Sequence, residues 1–272
     1  MILSNLNLVY KSTIKIILFI ILSIISTHTS AQNPVLEFAA GDGNPTGNGY
    51  ATTTTIQFRN NTDNSTGNTF STYTSPSALT VTATLSNQQY QISNVGNNAV
   101  VFGYLKTGPT PVFPTISTIG SPTNSYFTSA GSNTGTGIEI TQNRALQLML
   151  ISTALEMRGI STAARAQMAD ITFTFNRPVN NPILHIGGLG GYYDNQYFYT
   201  DCELLSANTA VTFSKLSGTS ALSTSTTNIT NSSTDYTSYG TGNNAGSGSV
   251  RINGTGITTI TMRLYLKGSG GT

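Results

Sequence analysis

The chain has 272 residues, with twelve Lys and Arg against ten Asp and Glu, and charged groups make up only 8% of it. An ordinary soluble domain carries about 25%, and so even a charge balance excludes a basic face for nucleic acid or anionic lipid. Solubility falls instead to Thr, Ser, Asn and Gly, and the 38% apolar content suits either a disordered chain or a folded β protein.

Residues 1–31 read as a secretory signal peptide. Lys11 and Lys15 form a positive start, and Ile14 to Ile25 is an apolar run broken only by Lys15 and Ser23. Thr29, Ser30 and Ala31 supply the small residues before a cleavage point. The run is short for a membrane span, and the competing reading is a retained N-terminal anchor. Gln32, where a lipid-modified start would need Cys, argues against a lipid anchor. Loss of the two lysines leaves ten basic and ten acidic groups, so the exported part has no net charge. No transmembrane segment is expected after cleavage, and the location implied is secreted or cell surface.

From residue 32 to 267 the spacing predicts one all-β domain, a β-sandwich or jelly roll. Val35 to Phe38, Ala51 to Phe58 and Ala99 to Tyr104 are strand candidates. Val81, Ala83 and Leu85 alternate with Thr80, Thr82 and Thr84, the two-residue rhythm of a half-buried strand. Gly41 to Gly49 and Thr107 to Pro114 carry turn chemistry. Gln142 to Met168 is rich in helix formers, although Leu146, Leu148 and Leu150 also alternate. A strand running into one short helix within Ser152 to Arg158 satisfies both signals.

The rhythm resumes at Ile171, Phe173 and Phe175, set against Thr172, Thr174 and Asn176. Pro182 to Ile186, Gln196 to Thr200 and Ala210 to Phe213 are further strands. Ser217 to Tyr239 is nearly all Ser, Thr, Asn and Gly, and predicts long surface loops around one or two weak strands. Ile260, Met262, Leu264 and Leu266 then alternate with Thr261, Arg263 and Tyr265. Residues 268–272, Gly-Ser-Gly-Gly-Thr, look like the start of a linker, which makes the chain the leading piece of a longer surface protein or else a free secreted domain.

Candidate chemistry is scarce. A Ser-His-Asp or Cys-His site must use His185, the only histidine left after cleavage, and it lies in the apolar run Ile183 to Ile186. A hydrogen-bonded inter-strand histidine fits that run better. Cys202 is the only cysteine, so no internal disulfide forms, and a small buried hydrophobe suits it better than a nucleophile. Glu37, Glu139, Glu156 and Glu203 could supply paired carboxylates for glycoside hydrolysis, or simply be surface charges. Gly187-Gly188-Leu189-Gly190-Gly191 lacks the Lys-Ser/Thr of a phosphate loop, and its glycines suit a sharp turn or close strand approach. No catalytic residue is assigned and no enzyme activity is expected.

No cofactor is expected either. Asp42, Asn44, Asn48, Asp194, Asn195 and Asp201 offer oxygen ligands in Gly-rich surroundings, but Asp and Asn are also turn residues. Calcium stays open, with no site assigned. Asn228 and Asn231 begin glycosylation sequons that matter only in a host able to use them. The binding candidates are Tyr192, Tyr193, Asp194 and Asn195, followed by Gln196, Tyr197, Phe198 and Tyr199. Tyrosines beside Asp, Asn and Gln can stack on a sugar or anchor a protein partner. The alternative is that alternate aromatics fill a core while the rest decorate a strand.

The run from Asp170 to Gly191 and the run from Gly246 to Thr261 resemble segments of the lectin-like, non-repetitive domain of CshA-type bacterial fibrillar adhesins. The likeness covers Gly137 to Lys267 and, more weakly, the N-terminal part. It rests on strand-and-turn patterns. It implies a lectin-like β-sandwich near the tip of a surface protein, contacting a host or neighbouring-cell protein or glycan. It carries over no ligand and no catalytic set. The other readings open at this point are a structural spacer domain and a secreted carbohydrate-active enzyme.

Overall fold

The computed structural model describes residues 37–39, 49–62, 69–105, 108–118, 122–129, 135, 137–193, 196–232 and 245–268, with Phe38, Ala39, Asn94, Tyr192, Tyr193 and Gln196 described by backbone alone. The expected signal peptide, the loop from Gly41 to Asn48 and the last four residues lie outside them.

The strands in chain order begin with β1 (Glu37–Ala39), β2 (Thr53–Asn61), β3 (Phe70–Ser71) and β4 (Thr80–Ser86). Four short ones follow, β5 (Val100–Phe102), β6 (Tyr104–Leu105), β7 (Gly108–Pro109) and β8 (Leu148–Leu150). Beyond a single helical turn, α1 (Thr153–Glu156), come β9 (Ala166–Val179), β10 (Ile183–Ile186), β11 (Gly190–Tyr193) and β12 (Gln196–Ala207). The last are β13 (Thr212–Gly218), β14 (Leu222–Thr224), β15 (Asn228–Asn231), β16 (Gly248–Asn253) and β17 (Ile257–Gly268).

The chain is an all-β sandwich. Its large antiparallel sheet runs β1-β2-β4-β9-β17-β12-β15-β14, with β3 on β2 and β11 on β12. A three-stranded sheet, β10-β16-β13, and the pair β5-β8 form the opposing layer. Side chains from β4, β9, β17, β12, β15 and β14 of the large sheet, from β10, β16 and β13, and from β5 and β8 meet, together with Ala154 and Leu155 of α1, in one continuous core.

Register explains why the sequence rhythm works. Leu85 pairs with Ile171, Ile171 with Met262 and Met262 with Leu204, one apolar row across four strands. Ala83, Phe173, Ile260 and Ala207 form the next row. Ile260, Met262, Leu264 and Leu266 are each almost wholly buried, and each such side chain contributes about 1.5–3 kcal/mol relative to exposure. A bulge between Leu204 and Ser206 interrupts the β12–β17 register, and Leu205 is left exposed.

The short helix lies inside the predicted window, directly after β8, because Ala154 and Leu155 turn inward while Glu156 and Met157 face water. The polar stretch after Ser217 holds two short strands, within the one or two expected, but not as part of surface loops. Its two strands, β14 and β15, close the far edge of the large sheet, and Leu222 and Ile229 are among the most buried side chains. Two well-placed apolar residues anchor them, a signal that polar composition conceals. Residues 233–244 lie outside the described part.

Beneath the second sheet sits a smaller apolar cluster of Ile116, Phe127, Ile138 and Ile140. Val250 and Ile252 of β16 join the main core, whereas Ser249, one residue before Val250, points the other way and accepts the Thr128 N–H. The three-stranded sheet is therefore a middle layer, apolar towards the main core and hydroxyl-lined on the other side.

That middle layer is held close to its own turn by glycine. Gly218 of β13 and Gly248 of β16 are cross-strand partners, both with positive φ, 127° and 154°. A Cβ at Gly248 would collide with the Ser217 carbonyl oxygen and lie 2.6 Å from the Gly218 Cα and 2.8 Å from the Leu222 Cδ2. Gly248→Ala is expected to cost about 3 kcal/mol or more, because neither backbone can retreat. Gly191→Ala, whose Cβ would enter open space, is the matched control. Urea unfolding midpoints of the two variants compare them directly; equal midpoints would dismiss the close approach.

Candidate functional site

Two of the four binding candidates, Tyr192 and Tyr193, fall at the end of a hairpin. In β11, Gly190 pairs with Tyr199, Gly191 with Phe198, Tyr192 with Tyr197 and Tyr193 with Gln196. The structure thus brings Tyr192 and Tyr193 to the tip of β11, against the start of β12. Asp194 and Asn195 lie outside the described residues. Further along β12, Phe198 and Tyr199 are buried, while Tyr197 is half-buried. The aromatic run therefore divides, with its later members serving the core.

The glycine cluster is a close-approach element. Gly190 lies against β15, where an added Cβ would meet the Asn231 Nδ2 at 3.1 Å. Gly188 adopts φ 86°, and its N–H donates to the Ser247 hydroxyl at 2.9 Å. Asn231 itself is buried and donates to the Leu189 carbonyl at 3.2 Å. The cluster thus works by letting strands meet.

His185 sits opposite Ser249 on adjacent strands β10 and β16, its Nδ1 2.9 Å from the Ser249 hydroxyl. That hydroxyl also accepts the Thr128 N–H at 3.0 Å. In the same row, Ser217 donates to the Tyr126 carbonyl at 2.8 Å. The edge of Phe127 lies against the imidazole, ring centres 6.2 Å apart. The row clamps residues 126–128 onto the middle sheet. His185 keeps some surface, whereas Ser249 has none. The Cys202 thiol is likewise enclosed, and burial, helped by the Asp201 charge, pushes it up to about 12. It is held as the unreactive thiol.

The carboxylates are held by separate partners. Glu37 receives the Arg177 guanidinium at 2.6 Å and the Tyr73 hydroxyl, and that hydroxyl also accepts from Arg177 and from the Leu79 N–H. Both ends of this ion pair are largely buried, and the Arg177 Nε reaches the Ser77 carbonyl at 2.9 Å. Glu139 accepts from Asn124 and Thr141, which hold its carboxyl below the usual range. Asp201 and Glu203 share Arg165, which also lies over the Tyr265 ring at 3.3 Å. Burial raises the Asp170 carboxyl, but Arg263 and Asn87 outweigh it and hold the group below its ordinary value. Glu156 is exposed on α1.

Of the oxygen ligands considered for calcium, Asp201 is engaged by Arg165 at 3.0 Å. Asp42, Asn44, Asn48, Asp194 and Asn195 lie outside the described residues, among which no group of three or more His, Cys, Asp or Glu could hold a metal ion. No helix among them is long and apolar enough to cross a membrane.

One feature escapes a linear reading. The outward positions of four adjacent strands are threonines in register. Thr53, Thr84, Thr172 and Thr261 form one row, and Thr55, Thr82, Thr174 and Thr259 form the next. Hydroxyls meet at 3.0 Å between Thr55 and Thr82, and between Thr172 and Thr261. Each strand carries a Thr-x-Thr pair in the sequence, but only the register shows that they coincide.

His185 generates a pH prediction. Although the residue keeps some surface, desolvation of its ring lowers the imidazole to about 4 from an unfolded value near 6.5. A depressed base binds fewer protons when folded, so its stability contribution is complete above pH 6.5 and disappears as pH falls towards 4. The loss is on the order of 2–3 kcal/mol. Urea unfolding of wild type and His185→Leu between pH 7 and 4 checks it. The variant should show a flatter dependence over that window, and an unchanged slope would mean a hydrated imidazole.

No protein-family model matches the chain, and no curated protein or solved structure matches it either.

Proposed function

We propose that this chain is a non-catalytic binding module of an exported bacterial surface adhesin, contacting a protein or glycan on a host or neighbouring cell. The observation that carries the reading is the way its reactive groups are spent. His185 and Cys202 are desolvated inside the sandwich, while Glu37, Asp170, Asp201 and Glu203 are neutralised by arginines. Such pairs fasten strands together and leave recognition to uncharged surface and loops. The resemblance of Gly137 to Lys267 to the CshA-type lectin-like domain points the same way, as does the signal-like start of the sequence.

Within this reading the β11–β12 hairpin is the contact point. Tyr192 and Tyr193 stand at its end beside Asp194 and Asn195, and tyrosine next to amide and carboxylate groups recognises sugars and protein surfaces alike. The test is binding of residues 32–268 to glycan arrays and immobilised matrix proteins. A Tyr192→Ala, Tyr193→Ala, Asp194→Ala triple variant should lose at least about tenfold in affinity, or roughly 1.4 kcal/mol. Binding unchanged by the triple variant removes the hairpin from the reading. Absence of binding to any glycan or matrix protein would favour a spacer domain.

A further inference from the structure

We infer that the outer face of the large sheet is a binding surface for an ordered water lattice, that is, for ice. The inference is independent of the adhesin reading and of the β11–β12 hairpin. It rests on the two in-register rows Thr53, Thr84, Thr172, Thr261 and Thr55, Thr82, Thr174, Thr259.

Neighbouring strands lie about 4.8 Å apart and alternate residues about 6.7 Å apart, so the eight threonines form a two-dimensional repeat within roughly a tenth of the oxygen repeats on a prism face of hexagonal ice. Each β-branched side chain is confined at χ1, so it holds a methyl and a hydroxyl in a repeating arrangement at little cost in entropy. The 3.0 Å contacts at Thr55–Thr82 and Thr172–Thr261 further restrict four of the hydroxyls. Thr53, Thr55 and Thr174 are exposed, and the other five are half-buried between their neighbours.

Charge complementarity selects the occupant. All eight grid positions are uncharged, which suits a neutral lattice. Where the first row continues on β12 it meets Ser206, another hydroxyl. The next row, Ser86, Asp170, Arg263 and Glu203, brings in charge, with Asp170 and Arg263 closed on each other at 2.8 Å. A polysaccharide face would call for an aromatic plate. The grid holds none, and the ring of Tyr265 beyond it is covered by Arg165 at 3.3 Å. A second copy of this sheet would bury up to sixteen hydroxyls, each costly if left without a partner. Strands twist against one another by about 20° per step, so the best match is the central patch of Thr82, Thr84, Thr172, Thr174, Thr259 and Thr261. Outer columns rotate away from any plane.

The test is partition of the full secreted chain, carrying a fluorescent label, between slowly growing polycrystalline ice and the remaining liquid. Wild type should enter the ice, and Thr174→Tyr should be excluded like a non-binding carrier protein. Thr55→Tyr, on the outer strand β2, gives a second substitution less exposed to folding defects, with thermal unfolding as the folding check. Exclusion of wild type from ice overturns the inference, as does ice entry that a folded Thr174→Tyr retains. Retention on crystalline cellulose or chitin with no ice entry would assign the face to a polysaccharide instead. A concentration-dependent dimer that Thr174→Tyr dissolves, again with no ice entry, would assign it to a second copy. Glycan and matrix binding by the hairpin can survive or fail in each case independently.

Discussion

Strand β17 is the member on which the rest depends. It hydrogen-bonds to β9 on one side and β12 on the other, and those two pairings are the most extensive in the molecule. Its inward residues, Ile260, Met262, Leu264 and Leu266, lie against the opposing layer, and its outward residues begin with Thr259 and Thr261. A slip of one residue would exchange the two sets, placing hydroxyls and Arg263 in the core. The core rows and the threonine rows are thus two consequences of a single register. Register shifts at Leu204/Ser206 and Leu264/Tyr265 come beyond the threonine rows or at their margin, and one at Ile257/Thr259 comes at the edge of the second row. From Thr259 to Leu264 the pairing of β17 with β9 runs without a shift, as does the pairing of β4 with β2 and β9 across the same rows.

What could be read from the sequence was local. Alternation at Val81 to Leu85, Ile171 to Phe175 and Ile260 to Leu266 located the half-buried strands, since a sheet with one wet face writes its period directly into the chain. The strong helix formers of Gln142 to Met168 located the helix within Ser152 to Arg158 through propensity instead of period. The polar stretch after Ser217 allowed one or two weak strands but hid how deeply β14 and β15 are anchored, because a strand at a sheet edge can be held by one buried residue, as Leu222 and Ile229 show. The partners of charged groups were also out of reach. Glu37 and Arg177 are distant in sequence, and their meeting depends on β1 lying at one edge of the sheet and on the loop that carries Tyr73. The candidate hairpin was legible as composition alone, and its strand pairing adds a position at the tip of β11.

Among the described residues, three arginines and four carboxylates serve to fasten strands. Arg177 ties β9 to β1, Arg263 ties β17 to β9, and Arg165 gathers two acids of β12. A buried or half-buried pair of this kind costs desolvation and returns register. Away from these pairs, the outer face of the large sheet presents rows of uncharged hydroxyls. Recognition by such a surface depends on shape and repeat.

The burial of Asn231 bears on how the protein can be made. Its amide nitrogen lies between Leu189 and Gly190 and is enclosed when β15 closes against the glycine-rich segment. Asn231-Ser232-Ser233 is nevertheless an acceptor sequon. In a yeast or insect-cell secretory route, the transferase meets the nascent chain before that closure. An oligosaccharide attached there would hold the sheet edge apart, so a bacterial host, or an Asn231 sequon disabled at Ser233, suits production of the native sandwich.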